Sequence, residues 1–364
     1  MPMTSQALPY IREISPYLPG KPITQLARET GIPPERIVKL ASNENPLGMS
    51  PRARRAVEAA LSGVERYPDQ FELVAALAER HGVSPAQVVL GNGSNDLLDL
   101  VARVFLSAGR TSVVAEYAFA IYALVTAITG GGTLVAPARH YGHDPATLLA
   151  TLREDTKVLW IANPNNPTGT FIPYAEVREL IARVPSNVVV VLDEAYTEYL
   201  PPAERVDSIA WIRDFPNLVV TRTFSKIYGL AGLRVGYAVA EESVANLLNR
   251  VRQPFNVGNL GLVAAIAALD DHPFLAESYA LNREGMTQLV AGVKRLGLEH
   301  IPSHGNFITV AVPDGAAVDR HLLQQGVIVR PLGGYGMPNH LRVTIGRETE
   351  NRRFLEALEK ALRG

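Results

Sequence analysis

The chain has 364 residues, 47% of them hydrophobic, and a formal net charge of −1. It has no cysteine, which excludes a disulfide framework, a thiolate metal site and a cysteine nucleophile. Near-neutral charge argues against nucleic-acid binding, no apolar run approaches the roughly 20 residues of a membrane span, and the charged, proline-bearing N-terminus lacks a signal-peptide core. A cytoplasmic globular protein with no membrane or nucleic-acid partner is expected.

Residues 1–45 are rich in proline and read as an irregular arm. Ser50-Pro51, the run RARRAVEAAL and Ser62-Gly63 predict a helix with an N-cap, a proline in its first turn and a glycine stop. Strands are predicted at 87–90, 111–115, 133–136, 157–162, 187–192, 217–221 and 234–240, with helices such as 96–106 and 174–184 between them. The run VVVVL at 188–192 lacks polar alternation, as strands buried on both faces do. This alternation predicts a doubly wound, mostly parallel α/β sheet over 46–255. A smaller α+β domain follows over 256–364. It has a helical stretch at 260–296 broken near His272-Pro273, then strands at 307–312, 327–330 and 340–345, a helix at 316–325 and a final helix at 350–362.

In open parallel sheets, ligands bind outside the carboxyl ends of the strands, and four such ends are distinctive here. Gly91-Asn92-Gly93-Ser94-Asn95-Asp96 offers either a phosphate cradle at a helix N-terminus or a tight turn. A dinucleotide fingerprint is disfavoured, because Asp96 stands where helix and strand need a glycine. The segment Asn163-Pro164-Asn165-Asn166-Pro167-Thr168-Gly169 ends a buried strand, and a turn locked by Pro167 would hold the Asn166 amide as a donor. Asp193 ends VVVVL, where an acid needs a cationic partner, and a protonated ring nitrogen would serve. No metal is expected there: the eight histidines show no HExxH spacing, and His140, His143 and Asp144 fall in a predicted surface loop.

The chain has only six lysines. Lys294 and Lys360 fall on amphipathic helices, Lys157 opens a strand, and Lys21 and Lys39 lie in the arm. Lys226 alone stands between a buried strand and a glycine-rich turn, near Arg234. Desolvation and a neighbouring cation would depress its pKa, as an amine forming a Schiff base requires. Phosphate cradle, ring-nitrogen acid, hydrogen-bond donor and Schiff-base lysine together match the protein requirements of pyridoxal 5′-phosphate.

Further stretches carry a family resemblance: PYLPGKP (16–22), LASNENPLG (40–48), RYPD (66–69), GNGSND (91–96), NPNNPTG (163–169), LDEAY (192–196), TFSKIYGLAGLRVGY (223–237), SHGNFI (303–308), VIVRP (327–331) and LRVTIG (341–346). On these the chain resembles the fold-type I, class I and II pyridoxal-phosphate aminotransferases over nearly its whole length. NENP, RYPD and VRP point to the histidinol-phosphate branch.

The resemblance implies an aspartate-aminotransferase-like fold, with a cofactor-binding domain over 46–255 and a small domain over 256–364 that the arm 1–45 joins. It implies a homodimer with shared active sites. The reaction implied is transamination of L-histidinol phosphate with 2-oxoglutarate in histidine biosynthesis; aromatic amino acids as donors, or a phosphothreonine-type decarboxylation, are the alternatives. Lys226 would carry the cofactor and shuttle a proton, and Asp193 would keep its ring nitrogen protonated. Asn166 and Tyr196 would hydrogen-bond the ring hydroxyl. Ser94, Asn95, Ser225 and Arg234 would hold the phosphate, joined by Tyr67 from the partner subunit. Arg342 would bind the substrate anion with Arg330 as a second contact, Tyr17 and Asn43 would line the substrate side, and Asn45 lies with Asn43 in a segment covering the site. The family commonly reads Pro-Thr-Tyr-x-x-Tyr where this chain has Tyr117-Ala118-Phe119-Ala120-Ile121-Tyr122. Alignment on Tyr122 puts Phe119, rather than Tyr117, on the cofactor ring.

Overall fold

The computed structural model describes residues 3–17 and 19–363; Leu18, within the PYLPGKP stretch, lies outside them. The arm is more regular than expected. Pro22 precedes a helix at Ile23–Thr30, which stops at Gly31 in the left-handed region (φ 73°), where a glycine carries no Cβ penalty. Strand β1 (Val38–Lys39) follows.

Seven strands form the central sheet: β2 (Val88–Asn92), β3 (Thr111–Ala115), β4 (Gly132–Ala136), β5 (Thr156–Ala162), β6 (Val189–Asp193), β7 (Leu218–Thr223) and β8 (Val235–Ala240). Their order is β2-β8-β7-β6-β5-β3-β4, with β8 antiparallel to both neighbours and the other pairs parallel. The inversion of β8 matters for the site. It brings the start of β8 (Val235 opposite Asn92, Gly236 opposite Thr223) to the edge where the other strands end.

Apolar cores cover both faces of this sheet, one including Leu159, Leu192 and Val220, the other Trp160, Val191 and Val219. Helix Asn259–Leu269, beyond the expected boundary at 255, buries Leu262, Ala264 and Ala265 in the first of these. Helix His272–Arg295 spans both regions: Leu275 and Tyr279 lean on the large core, while Leu289 and Val293 enter another. The break near His272-Pro273 falls where the sequence placed it.

The second region has the antiparallel sheet β12-β13-β10-β9, built from β9 (His300–Ile301), β10 (Phe307–Ala311), β12 (Arg330–Pro331) and β13 (His340–Thr344), while β11 (Val327–Ile328) pairs parallel with β1 of the arm. Leu40 of the arm shares a core with Ile308, Leu341 and Phe354, and Leu26, Ile37 and Ala41 pack on Ile328. Among the described residues no helix is long and apolar enough to cross a membrane.

Candidate active site

The carboxyl edge of the central sheet faces the second region across a cavity of about 210 Å³. Tyr17, Asn43, Ser94, Asn95, Phe119, Asn166, Asp193, Tyr196, Ser225, Lys226, Arg234, Arg330 and Arg342 all line it. Tyr67 does not. It is 80% exposed and stacks on Phe255, with ring centroids 4.5 Å apart.

At one end the helix Ser94–Phe105 begins, so Ser94 and Asn95 sit in a first turn whose N–H groups have no partner within the helix. Arg234, in a left-handed conformation (φ 55°) just before β8, reaches Ser225 Oγ at 3.4 Å and the Asn92 carbonyl at 3.3 Å. Gly93 has φ 76°, which strains any side chain, and a Cβ there would push the Arg234 guanidinium, 2.3 Å away, out of its place. Asp96 turns away and accepts from the Asn92 N–H and the Asn256 amide, both at 2.8 Å.

At the floor, Asp193 accepts from Tyr122 Oη at 2.7 Å and Thr221 Oγ1 at 3.0 Å. Burial pushes its carboxyl pKa up, and these two donors pull it back. Tyr122 stacks on Trp160 (5.3 Å, 7°) and meets the edge of Phe119. Neither Tyr122 nor Thr221 was singled out as a site residue from the sequence. Tyr122 follows Phe119 by three residues, one helical turn on, which was a usable signal. Thr221 depends on its register opposite Asp193, which no local pattern reveals.

Lys226 Nζ lies 3.2 Å from the Ser42 carbonyl and 5.7 Å from the centre of the Tyr196 ring. Burial first, then the charge of Arg342, bring its pKa down to about 8; Arg234, the cation expected from the sequence to act, contributes less. Tyr196 accepts from the Asn43 amide at 2.9 Å, and burial pushes its phenol up to about 12. On the far wall, Arg342 donates to Asn166 Oδ1 and to the Ala41 carbonyl, leaving the Asn166 NH₂ as its free donor group. Arg342 Nε is buried with no protein partner. The Arg330 guanidinium stands 5.6 Å over the Tyr17 ring.

Tyr117 is outside the cavity lining; its ring packs on Tyr141 and its carbonyl accepts from Asn165. The loop of His140, His143 and Asp144 departs from expectation at one residue. His140 is exposed, but His143 is buried, and that burial brings its pKa down to about 4.

These residues fit pyridoxal 5′-phosphate. A helix N-terminus, two serines and an arginine cluster at one end for a phosphate, a carboxylate held by neutral donors lies at the floor, and a depressed lysine stands between them.

The comparisons agree. The family model for aminotransferase class I and II matches residues 35–358. The chain is 68% identical over 362 residues, covering 100% of both chains, to histidinol-phosphate aminotransferase 1 of Dechloromonas aromatica (strain RCB). The crystal structure of histidinol-phosphate aminotransferase from Sinorhizobium meliloti in complex with pyridoxal 5′-phosphate is similar at a TM-score of 0.90 and 28% identity, over 99% of this chain and 98% of that one. An aspartate aminotransferase of Thermus thermophilus shares the fold, with a TM-score of 0.85 at 21% identity over 98% of this chain and 99% of its own. With a family model over most of its length and a relative this similar, the chain belongs to the class I and II aminotransferases.

Proposed function

We propose that the chain transfers the amino group of L-histidinol phosphate to 2-oxoglutarate, a step of histidine biosynthesis, with pyridoxal 5′-phosphate as cofactor. The observation that carries this reading is the cavity's second anion-binding wall. Arg342 and Arg330 face it together with Tyr17, apart from the cluster around Arg234. A donor with a ring and a phosphate would meet an aromatic surface and two guanidinium forks there. The full-length likeness to a histidinol-phosphate aminotransferase supports the same choice over an aromatic amino acid.

When bound, the cofactor supplies an electron sink for charge developing at the substrate's α-carbon. Ser94, Asn95, Ser225 and Arg234 hold its phosphate, and Asp193 keeps a proton on the ring nitrogen. Asn166 donates from the NH₂ that Arg342 leaves free, and Tyr196 orients the ring hydroxyl. Phe119 covers the ring face. Lys226 would hold the cofactor, and its amine would carry the proton to and from the α-carbon. With its pKa near 8, a neutral amine is available far below the usual lysine range.

The working unit in this reading is a cytoplasmic homodimer. Tyr67 stands exposed beside Val64, Phe71 and Phe255, all more than half exposed, and reaches the partner's phosphate site from that patch. The packing favours a division of the chain inside helix His272–Arg295 rather than at 255, with the arm's β1 counted in the small domain.

The test is a half-reaction panel on the holoenzyme with no acceptor present. L-histidinol phosphate is expected to bleach the cofactor absorbance at far lower concentration than phenylalanine or tyrosine. Preference for an aromatic amino acid would overturn the donor assignment and leave the cofactor assignment standing.

A further inference from the structure

Two turns from distant parts of the chain interlock behind Lys226. One is Asn45–Gly48, closed by the Gly48 N–H donating to the Asn45 carbonyl at 3.0 Å. The other is Lys226–Gly229, closed by the Gly229 N–H donating to the Lys226 carbonyl at 3.0 Å. Gly229 has φ 69°, and a Cβ on it would lie 1.9 Å from the Gly48 carbonyl oxygen, so the backbones touch with no room for a side chain.

Asn45 is the polar link across this contact. It is buried, and its amide NH₂ donates to the Ile227 carbonyl at 2.7 Å and to Ser278 Oγ at 2.9 Å. Its Oδ1 accepts from the Leu47 N–H at 3.0 Å, a side-chain turn that keeps the amide aimed. Both amide protons are therefore engaged, and neither points at the cavity. Three residues earlier, the Ser42 carbonyl accepts from Lys226 Nζ at 3.2 Å. The strap 42–48 thus holds this turn twice, at the Lys226 amine and at the carbonyl of the next residue, Ile227.

We infer that Asn45 is a positioning residue for Lys226. It never touches substrate. By clamping the Ile227 carbonyl it fixes the backbone from which the lysine side chain swings, so that the amine moves while its root stays still. A group that must leave and return to one atom gains from a fixed root, because angstrom-scale misplacement of a reacting group lowers its rate steeply.

The test uses the cofactor alone, so it stands apart from the choice of amino donor. Apo protein is mixed with pyridoxal 5′-phosphate, and the rate at which Lys226 becomes trappable by borohydride is read beside the melting temperature. Asn45→Ser keeps a hydroxyl able to cap Leu47 but loses the reach to Ile227. Ser278→Ala removes only the tie to helix His272–Arg295. Capture is expected to slow about tenfold in Asn45→Ser, the worth of one buried hydrogen bond, and to stay within about twofold in Ser278→Ala, although both melt lower. Asn45→Ala, which also drops the Leu47 contact, should match Asn45→Ser. Equal slowing in Ser278→Ala, or unslowed capture in the Asn45 variants, would overturn the inference.

Discussion

Asp193 and Glu194 are neighbours at the end of one buried strand, and their carboxylates are treated in opposite ways. Successive side chains leave opposite faces of a strand. Asp193 meets only the neutral donors Tyr122 and Thr221 and borders the cavity. Glu194, fully buried, accepts from Arg222 Nε at 2.9 Å, Tyr174 Oη at 2.7 Å and Ser208 Oγ at 2.6 Å, with Arg222 Nη2 at 2.8 Å. Every neighbour of Glu194 is protein, and its charge is already matched. Asp193 has its geometry fixed by neutral donors, with only the more distant charge of Lys226 acting on it, which leaves it able to attract a ligand's cation. One acid ties strands together, and the other, in the proposed reading, faces the ring nitrogen.

This contrast can be broken from either side. Arg222→Ala should have the largest effect. It leaves Glu194 buried and unpaired, a loss of about 3–5 kcal/mol of stability in denaturant unfolding. Turnover per folded molecule should hardly change; a selective collapse of activity at normal stability would place Glu194 in the chemistry.

Asp193→Asn comes next and reverses the pattern. Turnover is expected to fall about 10²–10³-fold as the charge facing the ring nitrogen disappears. Stability should hold or rise, because burying that charge is unfavourable. Full activity in this variant would mean the cofactor does not rely on Asp193.

Tyr122→Phe is the smallest and sharpens the comparison. The hydroxyl lowers the pKa of Asp193, so its removal raises it. Asp193 must be ionised to act. The acid limb of the kcat profile should therefore move to higher pH, while the alkaline limb stays in place. A loss of about 1 kcal/mol is expected from the hydrogen bond itself. An unmoved acid limb would show that Tyr122 only fills space.

Much of the site was legible because it lies at strand ends, and buried parallel strands announce themselves as unbroken β-branched runs. VVVVL ending in Asp193 needed no tertiary information. Lys226 was isolated by scarcity and position together. What escaped the sequence was whatever depends on register or direction. Thr221 reaches Asp193 only because β7 pairs beside β6 with those residues opposite each other. Arg234 itself was named from the family resemblance, but the backward run of β8 that sets it beside Ser225 and Asn92 was not, because hydrophobic runs carry no arrow. The helix Ile23–Thr30 was overlooked for a different reason. It is only eight residues long and sits in a proline-rich stretch, so the face shared by Ile23, Leu26 and Ala27 was passed over, although Pro22 and Gly31 mark both its ends. Helix Asn259–Leu269 packs in the core of the large sheet although it follows residue 255; it is apolar all round, which says that it is buried but not against what.

The central claim is that Lys226, of the six lysines, is the amine that holds the cofactor. Borohydride reduction of the yellow holoenzyme followed by peptide mass mapping tests it directly. The account predicts one cofactor adduct, on the peptide containing Lys226, and none in Lys226→Ala. An adduct on any other lysine, or one that persists in that variant, would contradict it.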